Sequence, residues 1–200
     1  MGTLIYRRAM VDESDEIGVR QAVGRLIELG LVTADAVAEH VTREALARTL
    51  GYFGRPTWNG ALGLLSGLGM TYGMDHKTLR YACEDGVEAY EDELRSIADA
   101  TGGLITITDV TLVNDADDHL LQFLCNGAPH EWTIPHVDDD EGLEAQLIFA
   151  THIRELTADG SPAEWCQVQS PPDGYGFFAV FADQELLNQF GAPYGLTFED

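Results

Sequence analysis

The sequence predicts an α+β fold: a helical N-terminal half packed with a mainly antiparallel sheet and two further helices in the C-terminal half. Three observations predict it. Apolar residues recur at helical spacing through much of residues 1–103, whereas Leu104 to Pro135 reads as three strands in succession. The breaks in that stretch, Asn114-Asp115-Ala116-Asp117-Asp118 and Asn126-Gly127, are turn formers. Alternation of Ile105, Ile107 and Val110, then of Leu121, Phe123 and Cys125, gives one buried and one wet face. With helical patterns on both sides, this sheet is expected to form the floor of the core. Thr101-Gly102-Gly103 marks the internal boundary between a mainly helical half, 1–103, and an α+β half, 104–200, of one compact unit.

In chain order, Leu4 to Tyr6 carries a weak strand pattern. The acidic run Asp12-Glu13-Ser14-Asp15-Glu16 precedes a helix ending at Leu29, with Val19, Val23, Leu26 and Ile27 on one face and Gly30 as its C-cap. Thr33 is an N-cap for Ala34 to His40, and Thr42 for a second short helix, Arg43 to Leu50. Gly60, Gly63, Gly67, Gly69 and Gly73 punctuate an apolar stretch whose small residues let helices approach closely. Asp75 caps a helix from about His76 to Ala100, with Leu79, Ala82, Cys83, Val87, Tyr90, Leu94 and Ile97 as its apolar stripe. Beyond the three strands, Asp138-Asp139-Asp140-Glu141 suits the start of a helix from Gly142 to Leu156, buried through Leu143, Leu147, Ile148, Thr151 and Ile153. Glu164 to Gln169 and Tyr175 to Phe181 read as strands around the turn Pro171-Pro172-Asp173-Gly174. Asp183 caps a last helix to Phe190, and Leu196-Thr197-Phe198 is an edge strand.

Charge is the compositional outlier: 34 acidic against 11 basic residues give a net charge of −23, and Lys77 is the only lysine. Such a field opposes nucleic acid and anionic lipid and favours a basic partner or cations. A coding bias towards Arg, Ala, Gly, Asp and Glu, or adaptation to high salt, explains the same excess without a function. Cys83, Cys125 and Cys166 form no CxxC, which argues for buried thiols rather than a disulfide framework or zinc module. The N-terminal apolar run is too short for a signal peptide, and Gly60 to Met74 falls short of the roughly 20 residues of a spanning helix. The chain thus reads as a soluble, cytoplasmic protein with no membrane partner.

The tandem VTADAVAEHVTREALARTL resembles the helix-turn-helix of DNA-binding regulators, through Val37-Ala38 and Arg43-Glu44-Ala45-Leu46. Its turn, His40-Val41-Thr42, lacks that family's glycine-bearing extra residues, and its surround is acidic. A regulatory module on residues 33–50 is therefore the third functional expectation, and ordinary packing helices the plain one. The glycine stretch has neither a dinucleotide fingerprint nor a P-loop, since Tyr72 stands where a third glycine is needed and no Gly-Lys-Ser/Thr follows. Asp115 to Asp118 lacks the EF-hand register, with Leu120 in the glycine position.

His130, Glu131 and His136 are the nearest approach to a metal cluster, with Cys125 and His152 elsewhere. They define the competing expectation, a small-molecule or metal-dependent enzyme with a site near His130 and His136. Cys166 beside Trp165 would need His130 or His152 as a base. No catalytic residue or cofactor is assigned.

The leading expectation is an acidic protein-binding module. Carboxylates near Trp58, Tyr72, Tyr81, Tyr90, Trp132 and Trp165 would combine steering charge with aromatic anchors. The acidic α+β character and the segments GGLITITDV, HLLQFLCNG and SPAEWC resemble the small acidic immunity proteins of bacterial polymorphic toxin systems, over about half the chain. That resemblance implies a stoichiometric inhibitor that occludes a basic toxin or enzyme and has no chemistry of its own. The candidate contacts are Glu84, Asp85, Glu88, Glu91, Asp92, Asp138, Asp139, Asp140, Glu141 and Trp132.

Overall fold

Short local signals place most of the elements. In the computed structural model, which describes residues 18–51, 57–74, 87–115, 118–135, 143–169 and 177–199, the N-terminal elements are α1 (Val19–Glu28), α2 (Ala34–His40), α3 (Thr57–Gly67), β1 (Thr71–Met74) and α4 (Val87–Asp99). They are followed by β2 (Ile107–Asp115), β3 (Asp118–Cys125), β4 (Ala128–Pro135), α5 (Leu143–His152), β5 (Glu164–Val168), β6 (Phe177–Ala182), α6 (Gln184–Gly191) and β7 (Phe198–Glu199). The fold is α+β, with two antiparallel sheets among the described residues.

The caps follow side-chain chemistry. The Thr33 Oγ1 accepts from the Ala36 amide at 3.1 Å, and the Asp183 carboxylate accepts from the Leu186 amide at 3.0 Å, opening α2 and α6. After α1, Gly30 adopts φ +74° and lets the Leu31 amide reach back to the Leu26 carbonyl. Thr42 also caps, accepting from the Ala45 amide, but it opens only a single 3₁₀ turn, Ala45–Ala47, in place of the expected helix from Arg43 to Leu50. Leu50 is instead buried against α3, and Thr49 forms a β-bridge to Gly18. Of the expected helix from His76 to Ala100, the part from Val87 is present as α4. Leu4 to Tyr6 and the acidic run at 12–16 lie outside the described residues.

The larger sheet has the order β1-β6-β5-β7, and its two faces feed two different cores. The antiparallel register sets Tyr72 opposite Ala179 and Trp165 opposite Phe181, all facing one core with α4, α5 and the strands β3 and β4. Cys166 opposite Val180, together with Ala182 and Phe198, faces the other core, built from α1, α2, α3 and α6. This sheet, and not the stretch from Leu104 to Pro135, is the middle layer. Sheets buried on both faces carry near-continuous apolar runs, as Phe177-Phe178-Ala179-Val180-Phe181-Ala182 does. Its β1 comes from within the glycine-rich stretch of the first half and pairs with β6 across the expected boundary at 103.

The second sheet, β2-β3-β4, lies on one side of that middle layer. Leu121, Phe123, Cys125, Trp132 and Ile134 face inward at 3 % exposure or less, as the alternation predicts. β2 carries a bulge: Thr108 pairs with Leu124 and Thr111 with Gln122, so Asp109 and Val110 together oppose Phe123. Asp109 takes up the extra residue at φ +57°, a conformation that short polar side chains tolerate. On α5, Ile148 and Phe149 are buried while Thr151, expected inside, is exposed.

Candidate partner-binding surface

Helix α4 is amphipathic. Tyr90, Leu94 and Ile97 stand on its buried stripe, and each buried apolar side chain contributes about 1.5–3 kcal/mol. Helical spacing then puts Glu88, Glu91 and Asp92 on the solvent side, where all three are exposed. Arg95 bridges two of them, reaching Glu91 at 2.8 Å and also Asp92. These are surface pairs that contribute about 0.2–1 kcal/mol each and leave much of the negative field in place. Among the described residues no ion pair engages Glu88. Glu93 turns the other way, and its carboxylate accepts the hydroxyl of buried Tyr72 at 2.7 Å, tying α4 to β1. Burial, with the Glu93 charge and this hydrogen bond adding to it, drives the Tyr72 phenol far above its ordinary pKa. Glu84 and Asp85, and Asp138, Asp139, Asp140 and Glu141, lie outside the described residues.

Trp132 is not a partner contact. Its 1 % exposure follows from its position on β4, opposite Leu121 on the inward face. Its ring meets Phe123 edge-on at 4.8 Å and Phe149 at 6.0 Å, and it stacks on His152 at 5.3 Å. The indole N–H donates to Glu155 at 3.1 Å, and the other oxygen of that carboxylate lies 2.7 Å from His152 Nδ1. Glu155 thus ties the end of α5 to β4. Tyr72, Tyr90 and Trp165 are also buried, at 3 %, 4 % and 2 %, so they anchor the core and not an interface. Trp58 is half-buried against the helical core. Tyr81 lies outside the described residues.

Among the described residues, the candidate metal and nucleophile positions do not converge. His130 is half-buried and stacks on Phe123 at 5.4 Å, an arrangement that holds the ring by packing. His136 lies outside the described residues, and among the described residues no group of three or more His, Cys, Asp or Glu side chains is placed to hold a metal ion. Cys166 is fully buried in the helical core, on the opposite side of the middle sheet from the core that His130 and His152 border. Cys125 is buried too, and burial pushes its thiol up, the opposite of nucleophile activation.

An open depression of about 370 Å³ lies beside the bulge, a feature that the strand pattern alone does not predict. Asp109, Thr111, Gln122, Leu124, His130 and Glu131 are among the residues that line it. Gln122 donates to Glu131 at 2.8 Å across the β3–β4 pair, and the Thr108 hydroxyl donates to Asp109 at 3.3 Å. A signal for the bulge was nonetheless present in the sequence. Ile105 and Ile107 share odd parity and Val110 does not, and such a slip of one in a period-two pattern marks an inserted residue. Comparison with protein-family models, curated proteins and solved structures finds no match for the chain.

Proposed function

We propose that the chain is an acidic protein-binding module: a stoichiometric inhibitor of the immunity type, occupying a basic surface of a toxin or enzyme. The observation that carries this reading is the exposed row Glu88, Glu91 and Asp92 on a helix whose other face is locked into the core. A rigid helix holds such charges in fixed positions, and a net charge of −23 extends their field, which accelerates encounter with a cationic partner. No described helix is long and apolar enough to cross a membrane. The cytoplasm belongs to the same proposal.

The test is capture followed by inhibition. A tagged full chain, incubated at low salt with lysate of its source and washed with rising salt, is expected to release one basic protein at one-to-one stoichiometry. The activity of that purified protein should then fall linearly with added chain and reach its floor at one equivalent. A captured protein whose activity is untouched, or no basic protein at all, ends the reading.

A further inference from the structure

The outer face of the β2-β3-β4 sheet carries apolar side chains that no described element covers. Val113 is 41 % exposed, and Leu120 and Leu124 are half-buried. Strand alternation places these three with Thr111, Gln122 and Glu131 on the face away from the core. The depression beside the bulge opens on this face, with Asp109 and Glu131 in its wall. An apolar centre with a charged rim is the usual anatomy of a protein interface, and the row on α4 has no apolar centre of its own.

We propose that this face docks a basic segment of a partner protein, with an arginine side chain seated in the depression between Asp109 and Glu131. Aliphatic side chains of the same segment lie over Val113, Leu120 and Leu124. The inference rests on the inhibitor reading and deepens it, by separating steering charge on α4 from anchoring contacts on the sheet. Charge complementarity selects the occupant. A second copy of the chain would set carboxylates against carboxylates at a net charge of −23 on each side, and a nucleic acid would add phosphates to them. Gln122 occupies one oxygen of Glu131, and Thr108 one oxygen of Asp109, so each carboxylate keeps an acceptor for a guanidinium. Arginine suits the depression better than lysine because its planar guanidinium carries several N–H donors in a fixed fork and can serve both carboxylates at once, where an ammonium acts as a point charge.

The experiment titrates the ¹⁵N-labelled full chain with a capped synthetic heptapeptide of alternating arginine and leucine, followed by amide shifts. Saturable shifts over residues 111–113, 120–124 and 131 are expected. The double variant Asp109→Asn, Glu131→Gln should weaken them by at least about tenfold, the scale of one lost charge-assisted contact. Asparagine tolerates the backbone of position 109, so the bulge survives, and the variant's unchanged spectrum elsewhere checks that. Four results overturn the proposal. Shifts confined to α4 do so while leaving a basic partner in place. No saturable shift anywhere removes the sheet face, and capture then decides the inhibitor reading separately. Equal binding of a glutamate-for-arginine peptide removes the charge basis. Concentration-dependent shifts on this face without peptide identify a second copy as the occupant.

Discussion

At the scale of single residues, two interior hydrogen bonds between side chains matter most, Trp132 to Glu155 and Tyr72 to Glu93, because a buried donor left alone costs more than the bond itself contributes. Trp132→Ala removes a packed ring and leaves a cavity between β4 and α5. A loss of about 3–5 kcal/mol is expected in urea unfolding, with Trp132→Phe losing clearly less. Trp132→Phe should also associate with a basic partner as fast as the parent chain, since the indole is inside. Association slowed by that variant, with the fold intact, would return Trp132 to the surface. The signal against its being a contact was in the sequence: Trp132 and Ile134 alternate on one strand face, in phase with an apolar strand just before them. Tyr72 supplies a pH dependence. Its folded pKa lies above the ordinary value of about 10, so its contribution is complete below that pH and is lost as pH rises beyond it, where the unfolded chain releases the proton first. Tyr72→Phe should lower stability at neutral pH by about 1–2 kcal/mol. It should also flatten the fall in melting temperature above about pH 10; an unchanged alkaline slope would mean that other groups control it.

At the scale of elements, α3 shows that glycines in one stretch have unlike roles. A Cβ on Gly60 would come within 2.0 Å of the Leu50 carbonyl oxygen, a backbone atom that cannot swing aside, whereas one on Gly63 would meet nothing within 4 Å. Gly60→Ala must therefore push α3 off the turn at Leu50, and a loss of about 1–3 kcal/mol or more is expected, as for overpacked cores. Gly63→Ala should stabilise by about 0.5–1 kcal/mol through helix propensity alone. Paired thermal melts check both, and equal effects would refute the close approach. The same contrast explains what the sequence could reveal about the fold. Caps at Thr33 and Asp183, the stop at Gly30 and the alternation in β3 are local, so they are legible without knowing the fold. Thr71–Met74 is four residues long with a glycine inside, and its strand state comes from pairing with Phe177–Val180, more than a hundred residues away. Arg43 to Leu50 has helical periodicity, but Thr49 is drawn into a bridge with Gly18 and the helix stops after one turn. Tertiary contacts overrode propensity in both cases.

At the scale of the whole molecule, the candidate surface was legible as charge and illegible as shape. Helical spacing in the sequence was enough to put Glu88, Glu91 and Asp92 on one face. The parity slip between Ile107 and Val110 marks the bulge, but the gathering of Asp109 of β2 and Glu131 of β4 around one depression depends on how three strands pair, which no local pattern specifies. A net charge of −23 on one chain has two separable consequences. The first is self-repulsion, which weakens as salt shortens the screening length from about 10 Å at 0.1 M to about 3 Å at 1 M. The urea midpoint should therefore rise between those salt concentrations, whatever the acids are for. The second is steering, which belongs to particular residues. Reversing Glu88, Glu91 and Asp92 to arginine relieves repulsion, so this variant's midpoint should depend less on salt than the parent's. If the row guides a basic partner, the same variant should associate at least about tenfold more slowly at low salt, with the gap closing at high salt, because field-driven encounter is an ionic-strength effect. Dissociation should change far less, since anchoring contacts set it. A smaller salt dependence of stability with association rates untouched would assign these acids to solubility alone and leave the sheet face as the seat of binding.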